Sequence, residues 1–402
     1  MSQSVAYPAY IIAARRSALG RVGGLHKSRR IEDLVAPILA VALEDAGIEA
    51  KRVDEIILGN ASAGGNPARL IALAAGLPET TPAYTIDRQC ASGLDAILAA
   101  IRGVAAGEAE IVVAGGAESL STAPWRVAKP RSLYQLPRFL AVEPAGAEAS
   151  DEPQQIEACE ALAKRLGISR ERQDAYAVMS HLRATEARNQ RRFVGEIVPI
   201  KHTSEEARDQ GSDVEPSFDE LADLAPFLSP GGTLTRGNTA ALHDGAAIAV
   251  VVSRRVYQQL GSPPALRLMA ASAQGVAPGE EATAPLEAMR KMYAKLNGFD
   301  RSAIGIVELS ESSAAQAIAF KEGLGLEEPT INPDGGAIVR GHPFGASGAV
   351  LVTRLFTRMA RPRIKGGDAG KPAGAGGKST TFGAVSMGAV GGLGLAALFE
   401  AV

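Results

Sequence analysis

The chain has 402 residues, of which 46% are hydrophobic and 21% charged, as in ordinary globular proteins. Its net charge of −2 gives no electrostatic reason to expect nucleic acid or a membrane surface as a partner. Two cysteines, Cys90 and Cys159, are too few for a disulfide framework and lack zinc-ligand spacing, so no metal site is expected. The apolar run at residues 10–14 ends at Arg15 and Arg16, which predicts a first strand and not a signal peptide or membrane span. We therefore expect a cytoplasmic protein whose thiols stay free.

Hydrophobic periodicity predicts strands and helices in alternation. In the first 120 residues, strands are predicted at residues 9–14, 55–58, 82–86 and 110–114, and helices at 31–46, 67–75 and from Cys90 onward. Residues 120–245 are richer in charge, with a helix predicted at 169–188. Strand-like runs return at residues 246–252, 266–271 and 304–309. This alternation predicts an α/β fold whose sheet carries helices on both faces.

Cys90 stands where the predicted strand at 82–86 gives way to a helix. The residues that follow it, Ala91, Ser92 and Gly93, are small and allow close packing. Because the N-terminus of a helix carries partial positive charge, this position predicts a stabilised thiolate, the form in which sulfur is a nucleophile. The alternative is a small buried core cysteine, which is common for this residue type.

A weak internal repeat relates this segment to the second half of the chain. Residues 90–101 resemble residues 345–356, and both place Ala-Ser-Gly at the start of a helix. Two halves on one plan would point two helix N-termini at a shared central site. Chance is the alternative, because Ala-Ser-Gly carries little information.

His342 is the histidine with the most distinctive surroundings. Residues 335–348 place five glycines around it, and glycine permits the positive φ angles and close approach that a loop around a ligand needs. An imidazole that meets a thiol can take its proton, which is the basis of Cys/His acyl transfer. The alternative is a hydrogen-bonded structural loop histidine. The remaining histidines, His26, His181, His202 and His243, lack such surroundings and are predicted to be structural or exposed.

The chain resembles a thiolase over nearly its whole length. The matching motifs are Arg88-Gln-Cys-Ala-Ser-Gly93, Gly115-Gly-Ala-Glu-Ser119, residues 167–174, residues 237–245, Gly341-His-Pro-Phe-Gly-Ala-Ser-Gly348 and residues 391–400. The resemblance implies a five-layered αβαβα fold built from two βαβαβαββ halves. The halves would comprise residues 1–120 with about 246–270, and residues 271–402, with a loop domain at 121–245 over an acyl-CoA site.

The resemblance also implies the chemistry and the assembly. Cys90 would carry the acyl group as a thioester, while His342 would activate it and line an oxyanion hole. The substrate would be a coenzyme A thioester, with no separate cofactor. The protein would be a homodimer or homotetramer that acts in lipid metabolism.

The active-site motifs depart from the family at several positions. Thiolases carry a second cysteine, which removes the α-proton from the second acyl-CoA, and here that position is Gly388. The asparagine that holds an oxyanion-hole water is here Ser310, and Val390 stands at a glycine that donates a backbone N–H.

The predicted CoA side departs as well. Ser217 replaces an arginine, Ala240 replaces a serine near the pantetheine, and residues 154–156 replace a His-Met-Gly stretch. Phe344, beside the predicted histidine, is a further candidate substrate contact. Four arginines remain as candidate phosphate ligands or, alternatively, as a solvated helix face: Arg183, Arg188, Arg191 and Arg192. Cys159 is interpreted as packing, and the glycine-rich run at 365–378 as an exposed linker.

Three functions are consistent with these residues. The favoured one is a thiolase-like acyltransferase that makes or cleaves a carbon–carbon bond beside a thioester, with an altered second half-reaction. A different acyltransferase or thioester hydrolase on the same scaffold is the second. The third is a catalytically weak protein that binds acyl thioesters.

Overall fold

The computed structural model describes residues 7–130, 132–140, 154–201, 203–212, 214–228, 230–277, 279–361 and 381–402. Its strands are β1 (Ala9–Arg16), β2 (Gly20–Arg21), β3 (Glu55–Gly59), β4 (Ala83–Ile86), β5 (Ile111–Glu118), β6 (Arg126–Ala128), β7 (Arg138–Leu140), β8 (His243–Ser253), β9 (Leu266–Gly275), β10 (Ile304–Leu309), β11 (Phe382–Ala389) and β12 (Leu393–Ala401). Its α-helices are α1 (Ile31–Ala46), α2 (Pro67–Ala74), α3 (Ser92–Ala106), α4 (Gln154–Leu166), α5 (Arg170–Asn189), α6 (Phe218–Ala222), α7 (Arg254–Gln259), α8 (Ala284–Lys295), α9 (Ala314–Leu324), α10 (Ala337–Arg340) and α11 (Ser347–Met359).

The main strands follow the order β10-β11-β12-β9-β1-β8-β5-β3-β4, which has an internal symmetry. In the first half β1 and β5 each pair antiparallel with β8, and β3 runs parallel to β5. In the second half β9 and β11 each pair antiparallel with β12, and β10 runs parallel to β11. The halves join through a short β1–β9 contact that pairs Tyr10 with Arg267 and Ile11 with Leu266. The repeat suggested by two short Ala-Ser-Gly sequences is therefore a repeat of strand order.

Three apolar cores divide this arrangement into five layers. One core fills the space between the halves and is built on α3 and α11, with Leu94, Ile97, Val352 and Leu355 fully buried. A second packs α1 and α2 on the outer face of the first half, and a third packs α8 and α9 on the outer face of the second. The layers are thus helix, sheet, helix, sheet, helix, as the thiolase resemblance implies.

Most predicted elements lie where periodicity placed them. The helix at 31–46 matches α1, which ends at the left-handed Gly47, and the strand at 304–309 matches β10. The predicted helix at 169–188 is α5, with Ser169 as its cap, since the Ser169 side chain accepts a hydrogen bond from the backbone N–H of Arg172.

Several strands are longer than predicted. β5 continues through residues 115–118, which pair with residues 245–248 of β8, because glycine allows strands to approach closely where side chains would clash. The predicted linker at 365–378 lies outside the described residues, and the predicted domain boundaries stay predictions. Within the part of the chain that the structure describes, no helix is both long and apolar enough to cross a membrane.

Candidate active site

The N-terminal ends of α3 and α11 meet in the middle of the molecule. A Cβ atom on Gly93 would lie 2.7 Å from the carbonyl oxygen of Gly345, and one on Gly348 would lie 2.5 Å from Cβ of Leu94. Neither distance leaves room for a side chain, so both Ala-Ser-Gly sequences need their glycine. This contact brings the turn of Cys90 and the loop of His342 to one place.

Cys90 lies in a tight turn just before α3. Gln89, which precedes it, has a positive φ of 51°, an uncommon conformation for a non-glycine residue. Ser92 holds the turn, because its Oγ accepts from the backbone N–H of Arg88 at 2.7 Å and donates to the carbonyl oxygen of Gln89 at 2.6 Å. The backbone N–H groups of Val390 and of Cys90 itself act to lower the pKa of the Cys90 thiol. Two main-chain N–H groups therefore favour the thiolate form of Cys90.

The resting sulfur is a thiol. Burial raises the pKa of Cys90 to about 12, and the N–H groups of Val390 and Cys90, which favour the thiolate, only partly offset that effect. The prediction that the helix terminus by itself makes a thiolate is therefore wrong for the resting protein. Only 1% of the residue is exposed, and the loss of hydration outweighs the field of the helix. A base has to remove the proton.

His342 lies in a loop that is pinned on both sides. Its backbone N–H donates to the carbonyl oxygen of Ala241 at 2.8 Å, and its carbonyl oxygen accepts from the N–H of His243 at 3.1 Å. Gly341 has φ 93°, and a Cβ there would lie 2.0 Å from Nδ1 of His243, so this position requires glycine. The histidine set aside in the sequence, His243, is thus buried and packs beneath the loop.

The imidazole of His342 is held neutral and in one orientation. Its Nδ1 is hydrogen bonded to Ser347 Oγ at 2.8 Å, and its buried Nε2 has no hydrogen-bond partner among the described residues. Burial, with a smaller contribution from His243, lowers the pKa of His342 to about 4. When the Ser347 hydroxyl accepts a hydrogen bond from Nδ1–H, the free Nε2 lone pair is available to accept a proton from a thiol.

Ser310 and His342 line one small cavity together with Ser347, Arg340 and Val350, and its free space is enough for about one water molecule. Ser310 lies in the turn that follows β10, and its backbone N–H fixes this turn by donating to the carbonyl oxygen of Ser386 at 3.0 Å. A water in this cavity would have a hydroxyl and an imidazole among its neighbours. The water-holding role of Ser310 stays a prediction.

Gly388 is a half-buried residue near the end of β11, two residues before Val390. A Cβ atom placed on it would lie 3.4 Å from Cδ and Cγ of Pro285 and 3.5 Å from the carbonyl oxygen of Glu281. These are ordinary contact distances, and its φ is not positive. Steric crowding therefore does not explain the glycine at this position.

The three predicted substrate contacts lie in different surroundings. Ala240 lies beside the turn of Ser310, because its N–H donates to the carbonyl oxygen of Ser312 at 3.1 Å. Phe344 packs with its ring centroid 5.7 Å from that of His342 and has a strained φ of 30°. Ser217 is exposed and caps α6 in a reciprocal capping box with Glu220. The structure thus gives Ser217 a helix-capping role.

Three of the four candidate phosphate ligands are engaged within the protein. Arg183 donates to the carbonyl oxygens of Ile331 and Glu328, Arg188 donates to that of Ser212, and Arg192 pairs with Asp334 at 2.7 Å. Arg191 remains exposed. The alternative of a merely solvated helix face is therefore wrong for these three, since they tie α5 and the turn that follows it to neighbouring segments.

Two buried carboxylates hold the site loops: Glu118, in the motif at residues 115–119, and Glu311, which follows Ser310. The sequence predicts no role for either. Glu118 accepts from the N–H of Gly345 at 2.9 Å and from Asn60 Nδ2 at 2.8 Å, which joins the two halves beside α11. Glu311 accepts from Tyr176 Oη at 2.8 Å and from Asn332 Nδ2 at 2.6 Å. The sequence feature that could have revealed them is an acidic residue within a segment of otherwise small or apolar residues.

Comparison with known proteins agrees with this geometry. Residues 9–255 match the model of the thiolase N-terminal domain, and residues 262–383 match that of the thiolase C-terminal domain. The chain belongs to the thiolase family. It is therefore a thiolase-like acyltransferase.

Individual thiolases align over most of the chain. A putative acetyl-CoA C-acetyltransferase, VraB, from Staphylococcus epidermidis is 37% identical over 97% of both chains. An acetyl-CoA acetyltransferase from Thiocystis violacea is 35% identical over 89% of this chain and 94% of its own. The crystal structure of the Bacillus anthracis acetyl-CoA acetyltransferase superposes with a TM-score of 0.88, at 31% identity and full coverage of both chains.

Proposed function

We propose that this thiolase transfers an acyl group from an acyl-CoA to Cys90 and then makes or cleaves a carbon–carbon bond at that acyl group. The observation that carries the proposal is the surroundings of the sulfur. Two backbone N–H groups act on it, and the neutral imidazole of His342 belongs to the loop at the adjoining helix end. The relatives named as acetyl-CoA acetyltransferases support acetyl-CoA as the first substrate to test.

In the first half-reaction His342 Nε2 accepts the proton of the Cys90 thiol. The sulfur attacks the thioester carbonyl, and the tetrahedral intermediate expels CoA thiolate, which recovers a proton from the imidazolium. The N–H groups of Cys90 and Val390 suit the negative oxygen of this intermediate as well as the thiolate. A resting neutral pair is consistent with a thiol that is activated only when substrate arrives.

In the second half-reaction the acyl group on Cys90 meets the α-carbon of a second acyl-CoA. A water held between Ser310 and Nε2 of His342 would donate a hydrogen bond to the enolate oxygen of that acyl-CoA, and the single-water cavity supports this role. The chemistry needs no cofactor beyond the CoA thioester that serves as substrate. Such a reaction belongs to lipid metabolism, in the synthesis or breakdown of 3-ketoacyl chains.

A homodimer or homotetramer is part of the proposal. The hairpin formed by β6 and β7 exposes a cluster of large apolar side chains, which monomeric proteins rarely leave in water. Its exposed members, each at least 67% accessible, are Trp125, Leu133, Tyr134, Leu136 and Phe139. A cytoplasmic location, which two free cysteines favour, completes the proposal.

Intact-mass measurement tests the first step. Mixing the protein with acetyl-CoA should add one acetyl group, and peptide mapping should place it on Cys90. Adding CoA to acetoacetyl-CoA should then release acetyl-CoA, which tests the second step. If no acetyl-CoA, medium-chain acyl-CoA or acyl carrier thioester acylates Cys90, the proposed function is wrong.

A further inference from the structure

The site lacks the cysteine that moves the α-proton, and the main chain of an acidic residue, Glu281, lies beside Gly388, the position of that cysteine. Gly388 of β11 and its partner Gly394 of β12 both lie against residues 281–285. The carbonyl oxygen of Glu281 is 3.5 Å from the point that a Cβ on Gly388 would occupy, and that of Ala284 is 2.1 Å from the same point on Gly394. The segment that begins with Glu281 therefore covers this end of both strands.

The Glu281 side chain is buried and only half satisfied. The residue is 6% exposed, and its Oε1 accepts from the N–H of Gly279 at 3.2 Å. Its Oε2 is buried with no hydrogen-bond partner among the described residues. A buried carboxylate oxygen without a donor is costly, so a group that persists in this state suggests a role beyond packing.

The other buried carboxylates near the site are already committed. Both oxygens of Glu118 and both of Glu311 accept hydrogen bonds, and Glu160 accepts from Thr233 and Leu234. Glu308 also has unpartnered oxygens, but it lies 3.6 Å from the guanidinium of Arg340 and is fully buried. Glu281 differs from them in three ways. Its Oε2 has no hydrogen-bond partner, it forms no ion pair among the described residues, and its main chain lies next to Gly388.

A small polar cluster lies on the same side of the sheet. Cys159 Sγ is 3.6 Å from Ser312 Oγ, and Ser312 is two residues from Ser310. Burial raises the pKa of the Cys159 thiol, and the charges of Glu160 and Glu281 add to that effect. Ser310, two residues from this cluster, also lines the water-sized cavity of His342.

We propose that Glu281 is the catalytic base for the α-proton of the second acyl-CoA, in place of a cysteine at position 388. This inference rests on the proposed function. In condensation the carboxylate takes the proton from the α-carbon, and the resulting carbanion attacks the carbonyl of acyl-Cys90. The carbon–sulfur bond then breaks, the 3-ketoacyl-CoA leaves, and the proton on Glu281 passes to the Cys90 thiolate. In thiolysis the protonated carboxyl returns the proton to the departing carbanion.

The test compares Glu281→Gln with the matched control Glu280→Gln. Glu280 is the next residue, but it is exposed and pairs with Arg165 on the surface. Two readouts are measured for each variant. These are the rate of Cys90 acetylation from acetyl-CoA, by intact mass, and the rate of acetoacetyl-CoA thiolysis.

We expect Glu281→Gln to acetylate Cys90 within about threefold of the unchanged protein and to lose thiolysis by about 10²-fold or more. Glu280→Gln should stay within about twofold in both assays. Adding Gly388→Cys to Glu281→Gln should restore thiolysis at least about tenfold, because the new thiol supplies the missing base.

Thiolysis by Glu281→Gln within twofold of the unchanged protein would overturn the proposal. So would equal loss of acetylation and thiolysis, since Glu281 would then hold the fold. The proposal is also wrong if the unchanged protein acetylates Cys90 but neither thiolyses acetoacetyl-CoA nor exchanges the α-proton of acetyl-CoA with deuterium oxide. Failure of the unchanged protein to acetylate at all would instead count against the proposed function.

Discussion

The same three residues, Ala-Ser-Gly, stand at the start of α3 and of α11, but the two serines form different kinds of hydrogen bond. Ser92 bonds only to main chain, to the N–H of Arg88 and the carbonyl oxygen of Gln89, and so fixes the turn that presents Cys90. Ser347 bonds to a side chain, the imidazole of His342. One half of the repeat positions a nucleophile through its backbone, and the other positions a base through a hydroxyl.

The difference follows from what precedes each serine. Cys90 is two residues before Ser92, so the turn is tight and Gln89 takes a positive φ. His342 is five residues before Ser347, and the intervening residues let the chain return so that the ring reaches Oγ. A repeated helix start therefore preserves packing, while the length of the preceding loop decides the chemistry.

Of the substitutions at the two helix starts, replacing Cys90 should have the largest effect on acyl transfer. Cys90→Ala removes the nucleophile, and we expect acyl transfer to fall by about 10⁴-fold or more. Intact mass after mixing with acetyl-CoA should show no added acetyl group. The control is Cys159→Ala, because Cys159 is equally buried and should leave acetylation in place. Acetylation of the Cys90→Ala protein at another residue would contradict the assignment.

Replacing the base, His342 in the loop before α11, should have the next largest effect on the acetylation rate. His342→Gln should lower the rate of Cys90 acetylation by about 10²–10⁴-fold, the usual contribution of a positioned general base. Because the pKa of His342 is about 4, the unchanged protein should lose acetylation only below about pH 5. A rate that instead falls through pH 6.5 would show that the imidazole titrates as it does in water.

Gly388→Cys should increase activity. The added Cβ meets only ordinary contacts with Pro285 and Glu281, so the fold should accept it. A thiol at this position adds a second proton-transfer group, and thiolysis of acetoacetyl-CoA should rise, by up to about 10²-fold. Gly388→Ser fills the same space with a much weaker base and serves as the control. No gain from Gly388→Cys would mean that position 388 does not face the α-carbon.

The fold and the reactive pair were accessible from sequence because they depend on local pattern and on small residues. Periodicity placed β10 and α1 correctly, and Ala-Ser-Gly marked both helix starts. The protonation of Cys90 was not accessible, since it depends on burial under segments far away in sequence. The role of His243 beneath Gly341 and the free oxygen of Glu281 were hidden for the same reason. The sequence pattern therefore locates a reactive side chain, but only the tertiary packing shows how far that side chain is shielded from water.

Acid stability offers a milder test of the His342 environment. The fold lowers the pKa of His342 from 6.5 to about 4, so the unfolded chain binds a proton more readily between these values. Stability is therefore full above about pH 6.5 and falls as pH drops toward 4, by about 2 kcal/mol at pH 5 from this group. Urea unfolding at pH 7.5 and pH 5 should show that His342→Gln loses less stability on acidification than the unchanged protein. Equal losses in both proteins would mean that the imidazole is not desolvated.

The smallest expected effects separate the two serines. Ser347→Ala removes the hydrogen bond that orients His342, worth about 1 kcal/mol, so acetylation of Cys90 should slow by about fivefold with little change in stability. Ser92→Ala removes two hydrogen bonds to main chain and should mainly lower the free energy of unfolding, by about 1–2 kcal/mol. Acetylation rates and urea unfolding of both variants measure the contrast. If both substitutions change the acetylation rate and the free energy of unfolding in the same proportion, the two helix starts have the same role. Different roles require that Ser347→Ala mainly changes the rate and Ser92→Ala mainly changes the stability.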